Sequence, residues 1–152
     1  MTKFYISGSI ARLMIPQEKI TVDVVINAPI EKAWKFYTAP EHVIHWNNAS
    51  DGWHTPKAVN DLRKGGKFSY RMEAKDGSAG FDFSGMYEEV RQHELIEYSL
   101  GDARKVKVIF SKSGAKTMVV VTFDAETENS VELQRKGWQA ILNNFKKYTE
   151  SN

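Results

Sequence analysis

The first clear regularity in the chain is an alternation. Ile20, Val22, Val24 and Ile26 are separated by Thr21, Asp23 and Val25, which predicts a strand with one face in the core. Asn27-Ala28-Pro29 ends it, and Pro29 suits the entry to a helix with its apolar residues Ile30, Ala33, Trp34 and Tyr37 at i, i+3, i+4 and i+7. Pro40 opens a second short helix with Val43, Ile44 and Trp46 on one side, followed by a polar and glycine loop from Asn47 to Gly52.

The middle of the chain returns to a period of two. Trp53 to Val59 is irregular but compatible with a strand, and Gly65-Gly66 marks a turn. Phe68, Tyr70 and Met72 alternate with polar neighbours, and Asp76-Gly77 predicts a hairpin into a strand where Phe81, Phe83 and Tyr87 share a parity. Gly85 interrupts that face, which predicts a bulge or the close approach of another group. Ile96, Tyr98 and Leu100 continue the alternation, as do Val106, Val108 and Phe110 and, beyond Ser113-Gly114, Val119, Val121 and Phe123. Six consecutive strands joined by short turns form an antiparallel meander.

The last segment switches to helical spacing, with Val131, Trp138, Ile141, Leu142, Phe145 and Tyr148 on one stripe. Asn129 and Glu132 stand at capping-box positions, Asn129 as the cap, and Lys146 and Lys147 near the carboxyl end suit the helix dipole. The predicted order is strand, two short helices, six strands, long helix, an α+β domain over residues 19–149 behind an extension of residues 1–18. That extension has no acidic residue before Glu18 and reads as a disordered or strand-like tail, with a loose likeness to a mitochondrial presequence.

Composition sharpens this in three ways. At 152 residues, 41% hydrophobic and 26% charged, the chain has the make-up of one globular domain. Without cysteine it has no disulfide framework and no thiolate zinc site or cysteine nucleophile, which fits a reducing, cytoplasmic setting. Lys and Arg number 21 against 19 acidic residues, too even for a nucleic-acid surface, and no apolar run reaches the ~18 residues of a membrane span. The aromatic content is high, with 4 Trp, 6 Tyr and 8 Phe. So many rings imply a bulky core or a ring-lined cavity.

A curved antiparallel sheet cannot bury its concave face alone, and the final helix is the element able to cover it. The inward set is then Phe68, Tyr70, Met72, Phe81, Phe83, Tyr98, Val108, Phe110, Val121 and Phe123, facing Trp138 and Leu142. For any one of these residues plain core is the simpler reading. Tyr70, Tyr98 and Trp138 carry polar atoms that need partners when buried, which suits a cavity wall. Gly137 either admits a ligand beside Trp138 or lets the helix approach a strand.

Polar chemistry is sparse. His42 and His45 can share a helical face near Asp51 and His54, but a zinc site needs at least three converging ligands, so no metal is expected. His54 and Asp61, with Tyr70 or Tyr98, are the one set that could converge for acid–base work. No nucleophile elbow, phosphate-binding loop or dinucleotide fingerprint is present. Asp61, Arg63 and Lys64 form a polar rim or an exposed hairpin, and Arg104, Lys105 and Lys107 read as charges protecting a sheet edge.

Several segments together resemble a known family. They are Ala28-Pro29-Ile30-Glu31-Lys32-Ala33-Trp34, Pro40 to Trp46, Gly65-Gly66-Lys67-Phe68, Asp76-Gly77, Gly85-Met86-Tyr87-Glu88-Glu89-Val90, Gly137-Trp138 and Leu142-Asn143-Asn144-Phe145. The chain resembles the activator of Hsp90 ATPase homologue 1-like family of the START/Bet v 1-like (SRPBCC) superfamily. The resemblance implies a helix-grip fold, a seven-stranded antiparallel sheet gripping the carboxyl-terminal helix over a cavity. It implies a cavity wall of Phe68, Tyr70, Phe83, Tyr98, Phe110, Val121, Trp138 and Leu142, with Trp46 and Trp53 near the mouth. It brings no catalytic motif and no cofactor.

The expected function is binding of a small hydrophobic or amphipathic, lipid- or polyketide-like ligand in that cavity. A cyclase- or hydrolase-type enzyme using His54, Asp61 or a tyrosine is the alternative. An Hsp90-directed interaction module ranks last, because the co-chaperone that names the family has an additional amino-terminal Hsp90-binding domain and residues 1–18 are all that precede the matching segment here.

Overall fold

The structure, a computed structural model, describes residues 18–152. The predicted extension, apart from Glu18, lies outside the described residues. Strand β1 (Lys19–Ile26) is followed by helices α1 (Ile30–Thr38) and α2 (Pro40–Trp46), then by β2 (Trp53–Asn60), β3 (Lys67–Ala74), β4 (Gly80–Arg91), β5 (Leu95–Leu100), β6 (Lys105–Ser113) and β7 (Lys116–Asp124), and by helix α3 (Val131–Ser151). The strands form one curved antiparallel sheet in the order β1-β7-β6-β5-β4-β3-β2. The meander runs from β2 to β7, and β1 closes it by pairing with β7, Ile20 opposite Phe123 and Val24 opposite Val119.

Local chemistry sets the breaks. Pro40 excludes helical geometry at the residue before it, and Ala39 accordingly sits at φ −73°, ψ 127° between α1 and α2. The Trp46 indole donates to the Phe36 carbonyl at 2.9 Å, fixing the angle between the two short helices. Pro56 lacks an N–H, and the β2–β3 register shifts between His54 and Lys57; the proline is tolerated because β2 is an edge strand.

A second bulge, between Tyr87 and Glu89 on β4, corrects the alternation so that Val90 rather than Glu89 turns toward the core. Gly85 has no room for a side chain. A Cβ there would lie 2.5 Å from the Ser99 carbonyl and about 3 Å from the Phe68 ring, which is the predicted close approach.

The long helix starts one residue later than its sequence suggests. Ser130 is the cap and accepts from the Leu133 N–H at 3.1 Å, while the Asn129 side chain bonds Glu126. The helix also runs on to Ser151, so Lys146 and Lys147 stand short of its last turn rather than at its end. Lys146 reaches the Val25 carbonyl, and Glu150 accepts from the Asn27 N–H at 2.6 Å, docking the helix on the end of β1.

The predicted edge charges are not at an edge. β6 lies between β5 and β7, and Lys105 and Lys107 form cross-strand ion pairs with Glu88 and Glu97 on the convex face. No helix among the described residues is long and apolar enough to cross a membrane.

Candidate functional site

Helix α3 packs against β1, α1 and α2 but stands off from β2, β3 and β4, and the space between is the site. Trp138 spans it: one face stacks on Phe123 at 4.0 Å and 12°, and the Phe83 ring meets it edge-on at 6.0 Å. A single indole thus touches both sides of the grip and holds the helix away from the curled half of the sheet. The resulting cavity has a volume of about 280 Å³.

Eight of the ten residues expected for its wall line it: Trp46, Phe68, Tyr70, Phe83, Tyr98, Val121, Trp138 and Leu142. Their rings are continuous, Phe68 contacting Tyr70, Phe83, Tyr87 and Tyr98 at centroid distances of 4.8–6.0 Å. Trp46 belongs to the buried wall rather than the mouth, because its hydrogen bond to Phe36 and its stacking on Tyr37 hold it under α1. Phe81 forms the rim instead and is 47% exposed.

Two wall residues fall elsewhere. Phe110 is inward but sits beneath α1, packed edge-on against Trp34 at 5.0 Å and Tyr37 at 5.5 Å, so Tyr37 separates it from the space. Trp53 stands one ring outside, 6.0 Å from Phe81, because β2 is the sheet's outermost strand.

The expected acid–base pair does not form. The His54 side chain is 43% exposed on the outer sheet surface, 3.9 Å from Glu73, and Asp61 is 52% exposed and bonded to Arg63 at 3.0 Å. Neither lines the cavity, since His54 has the parity of Arg71 and Glu73 rather than of Tyr70, and Asp61 begins the turn before β3. His42 and His45 are engaged at the foot of α3. His42 Nδ1 meets the Tyr148 hydroxyl at 2.8 Å and stacks on Phe36, while His45 stacks on Tyr148. No group of three metal-ligating side chains converges among the described residues.

Beside the tyrosines that the patterning places inward, the polar lining includes residues it does not single out. Thr38 and Asn47 lie at one end with Tyr37 and Tyr87, and Arg104, Glu126 and Gln134 at the other. Gln134 is fully committed: its amide donates to the Glu126 and Asn129 carbonyls and accepts from the Glu126 N–H, which ties the loop before α3 to the cavity wall. Arg104 donates to Asp102 at 2.7 Å; burial opposes charge on Asp102, but these bonds win and its carboxyl titrates below the usual range.

At the other end the Tyr87 hydroxyl donates to Asn60 Oδ1 at 2.7 Å, and Asn60 Nδ2 donates to the Thr38 carbonyl at 2.8 Å. Burial pushes the phenols of Tyr37, Tyr70, Tyr87 and Tyr98 above their ordinary value of 10.0, and for Tyr37, Tyr70 and Tyr98 the neighbouring phenols add to the rise. All four stay neutral at physiological pH. The set of tyrosines on α1, β3, β4 and β5 is therefore a hydrogen-bonding surface rather than a charged one.

A curved antiparallel sheet gripping a long carboxyl-terminal helix over a ring-lined cavity defines a protein of the helix-grip, START/Bet v 1-like class. Residues 27–150 match the family model described as Activator of Hsp90 ATPase homolog 1-like protein, and the chain belongs to that family. No curated protein matches it. Among solved structures, an AHSA1-like protein from Aeromonas hydrophila is 42% identical with a TM-score of 0.83, over 88% of this chain and 93% of that one. A protein from Cytophaga hutchinsonii is 53% identical with a TM-score of 0.77, over the same shares. A Nitrosomonas europaea protein is 17% identical with a TM-score of 0.75, over 88% of this chain and 94% of that one, and shows the shared fold alone.

Proposed function

We propose that the chain binds one small apolar or amphipathic molecule, lipid- or polyketide-like, in the cavity between α3 and the sheet. The observation that carries this reading is the continuous aromatic wall around a cavity of about 280 Å³, propped by Trp138. Interiors are normally close-packed, with few voids larger than a water molecule. At about 280 Å³ the volume stands near the lower end of small-molecule sites, which span roughly 300–1,000 Å³. It suits a compact molecule of a few rings or one short chain rather than a two-chain lipid.

Membership of a helix-grip family, whose fold commonly encloses ligands in this position, supports the same reading. The test is titration of a hydrophobic fluorescent probe into the native chain and into Ile141→Trp, a substitution that places a larger ring in the cavity.

A further inference from the structure

One buried hydroxyl in the cavity wall has no acceptor for its proton. Of the phenols that line the space, Tyr87 and Tyr98 are the buried ones, at 4% and 8% exposed. The Tyr87 hydroxyl donates to Asn60 Oδ1 at 2.7 Å. The Tyr98 hydroxyl has no such partner among the described residues, yet it is not sealed in. Thr149 Oγ1 is the one buried side-chain oxygen or nitrogen among them that lacks both a partner and any contact with open space. The Tyr98 hydroxyl is therefore open, and the space that its side chain borders is the cavity.

Packing fixes where that hydroxyl stands. Phe68 meets the Tyr98 ring edge-on at 4.8 Å, Tyr87 at 6.3 Å and Phe83 at 6.4 Å, so the ring cannot swing away to find another partner. A hydroxyl carries one proton and two lone pairs. An idle lone pair costs little, but a proton left unpaired once a ligand has displaced water costs the full desolvation of the donor.

Charge narrows the kind of acceptor. Among the described lining residues Arg104 is the one cation, and it already donates to Asp102 at 2.7 Å, with Glu126 a second carboxylate at the same end. A ligand carboxylate would thus be buried with no uncompensated cation to meet it.

We propose that Tyr98 sets the specificity of the cavity by donating to a neutral acceptor oxygen of the bound molecule, such as a ketone or ester carries, so that a hydrocarbon or a free acid of the same shape is disfavoured. The inference rests on the cavity being the ligand site.

Three probes of one shape test it: methyl β-naphthyl ketone, β-isopropylnaphthalene and β-naphthoate. Each competes with a hydrophobic fluorescent probe on the native chain and on Tyr98→Phe, which keeps the ring of the wall and removes a hydroxyl that the fold does not use. The ratio of ketone to hydrocarbon affinity should fall about tenfold from the native chain to Tyr98→Phe, about 1.4 kcal/mol. On the native chain the naphthoate should bind more weakly than the ketone. An unchanged ratio in the folded variant, or a naphthoate that binds the native chain as tightly as the ketone, overturns the proposal while leaving the cavity as a binding site. Should neither the ketone nor the hydrocarbon bind the native chain, the cavity reading fails and this inference with it.

Discussion

Gly85 shows how much a single position can carry. Its missing side chain lets Phe68 lie across β4 while the Ser99 carbonyl approaches from β5. Gly85→Ala must push one of them back, and because Phe68 is the hub of the aromatic wall the ring cannot yield without disturbing Tyr70, Tyr87 and Tyr98. The expected cost is about 1–3 kcal/mol, read as a lowered melting temperature. A variant as stable as the native chain would show that the close approach is not under strain. This constraint was legible in the sequence, since a glycine on an otherwise aromatic face of a strand marks a place where a side chain has no room or the strand bulges. Asn60 and Arg104 were not. A polar residue at a strand end looks solvent-facing until the strand order places it beside Tyr87 or over the cavity.

At the scale of elements, proline and glycine punctuation made both short helices and the β3–β4 hairpin readable. The start of α3 was displaced by one residue because Asn129 and Ser130 are both competent caps, and the choice is made by Glu126, which captures Asn129. Histidine was misleading for a related reason. His54 sits next to a bulge at Pro56, where period-two reasoning loses its phase, so its side could not be read from the alternation.

Within α3, Gly137 does not mark a close contact between helix and strand. A Cβ there meets no heavy atom within 4 Å, so the helix does not approach a strand at that point. Gly137→Ala should therefore stabilise the helix by about 1 kcal/mol, a rise of roughly 2–4 °C in melting temperature for a domain of this size. A fall would mean that the open space beside Gly137 is used by the fold.

For the whole molecule, the cavity arises because α3 is committed to β1 at one side while the meander curls back at the other, with Trp138 bridging the gap. The concave face and its covering helix followed from patterning. The standoff did not, because it depends on where the helix docks, through Lys146 and Glu150, rather than on which residues face inward.

The four cavity phenols give this architecture a pH signature. Their folded pKa values are raised above the ordinary 10.0, burial being the main cause. Below pH 10 folded and unfolded chains are both protonated at these sites and stability is unaffected. Above it the unfolded chain ionises and the folded chain does not, so stability falls as pH rises toward the folded values. Tyr37, Tyr70, Tyr87 and Tyr98 should ionise together with loss of structure, followed by phenolate absorbance and circular dichroism on the same samples. Gradual ionisation of all four near pH 10 with the fold intact would place them in contact with bulk water.

The central claim is that a small molecule occupies the space under α3, and filling that space tests it most directly. Fluorescence titration of a hydrophobic probe should show one site on the native chain. Affinity should fall at least tenfold, about 1.4 kcal/mol, in Ile141→Trp and in Val121→Phe, with the melting temperature of each variant within a few degrees of the native value. Unchanged affinity in both folded variants would contradict the account, because the probe would then be binding somewhere other than the cavity.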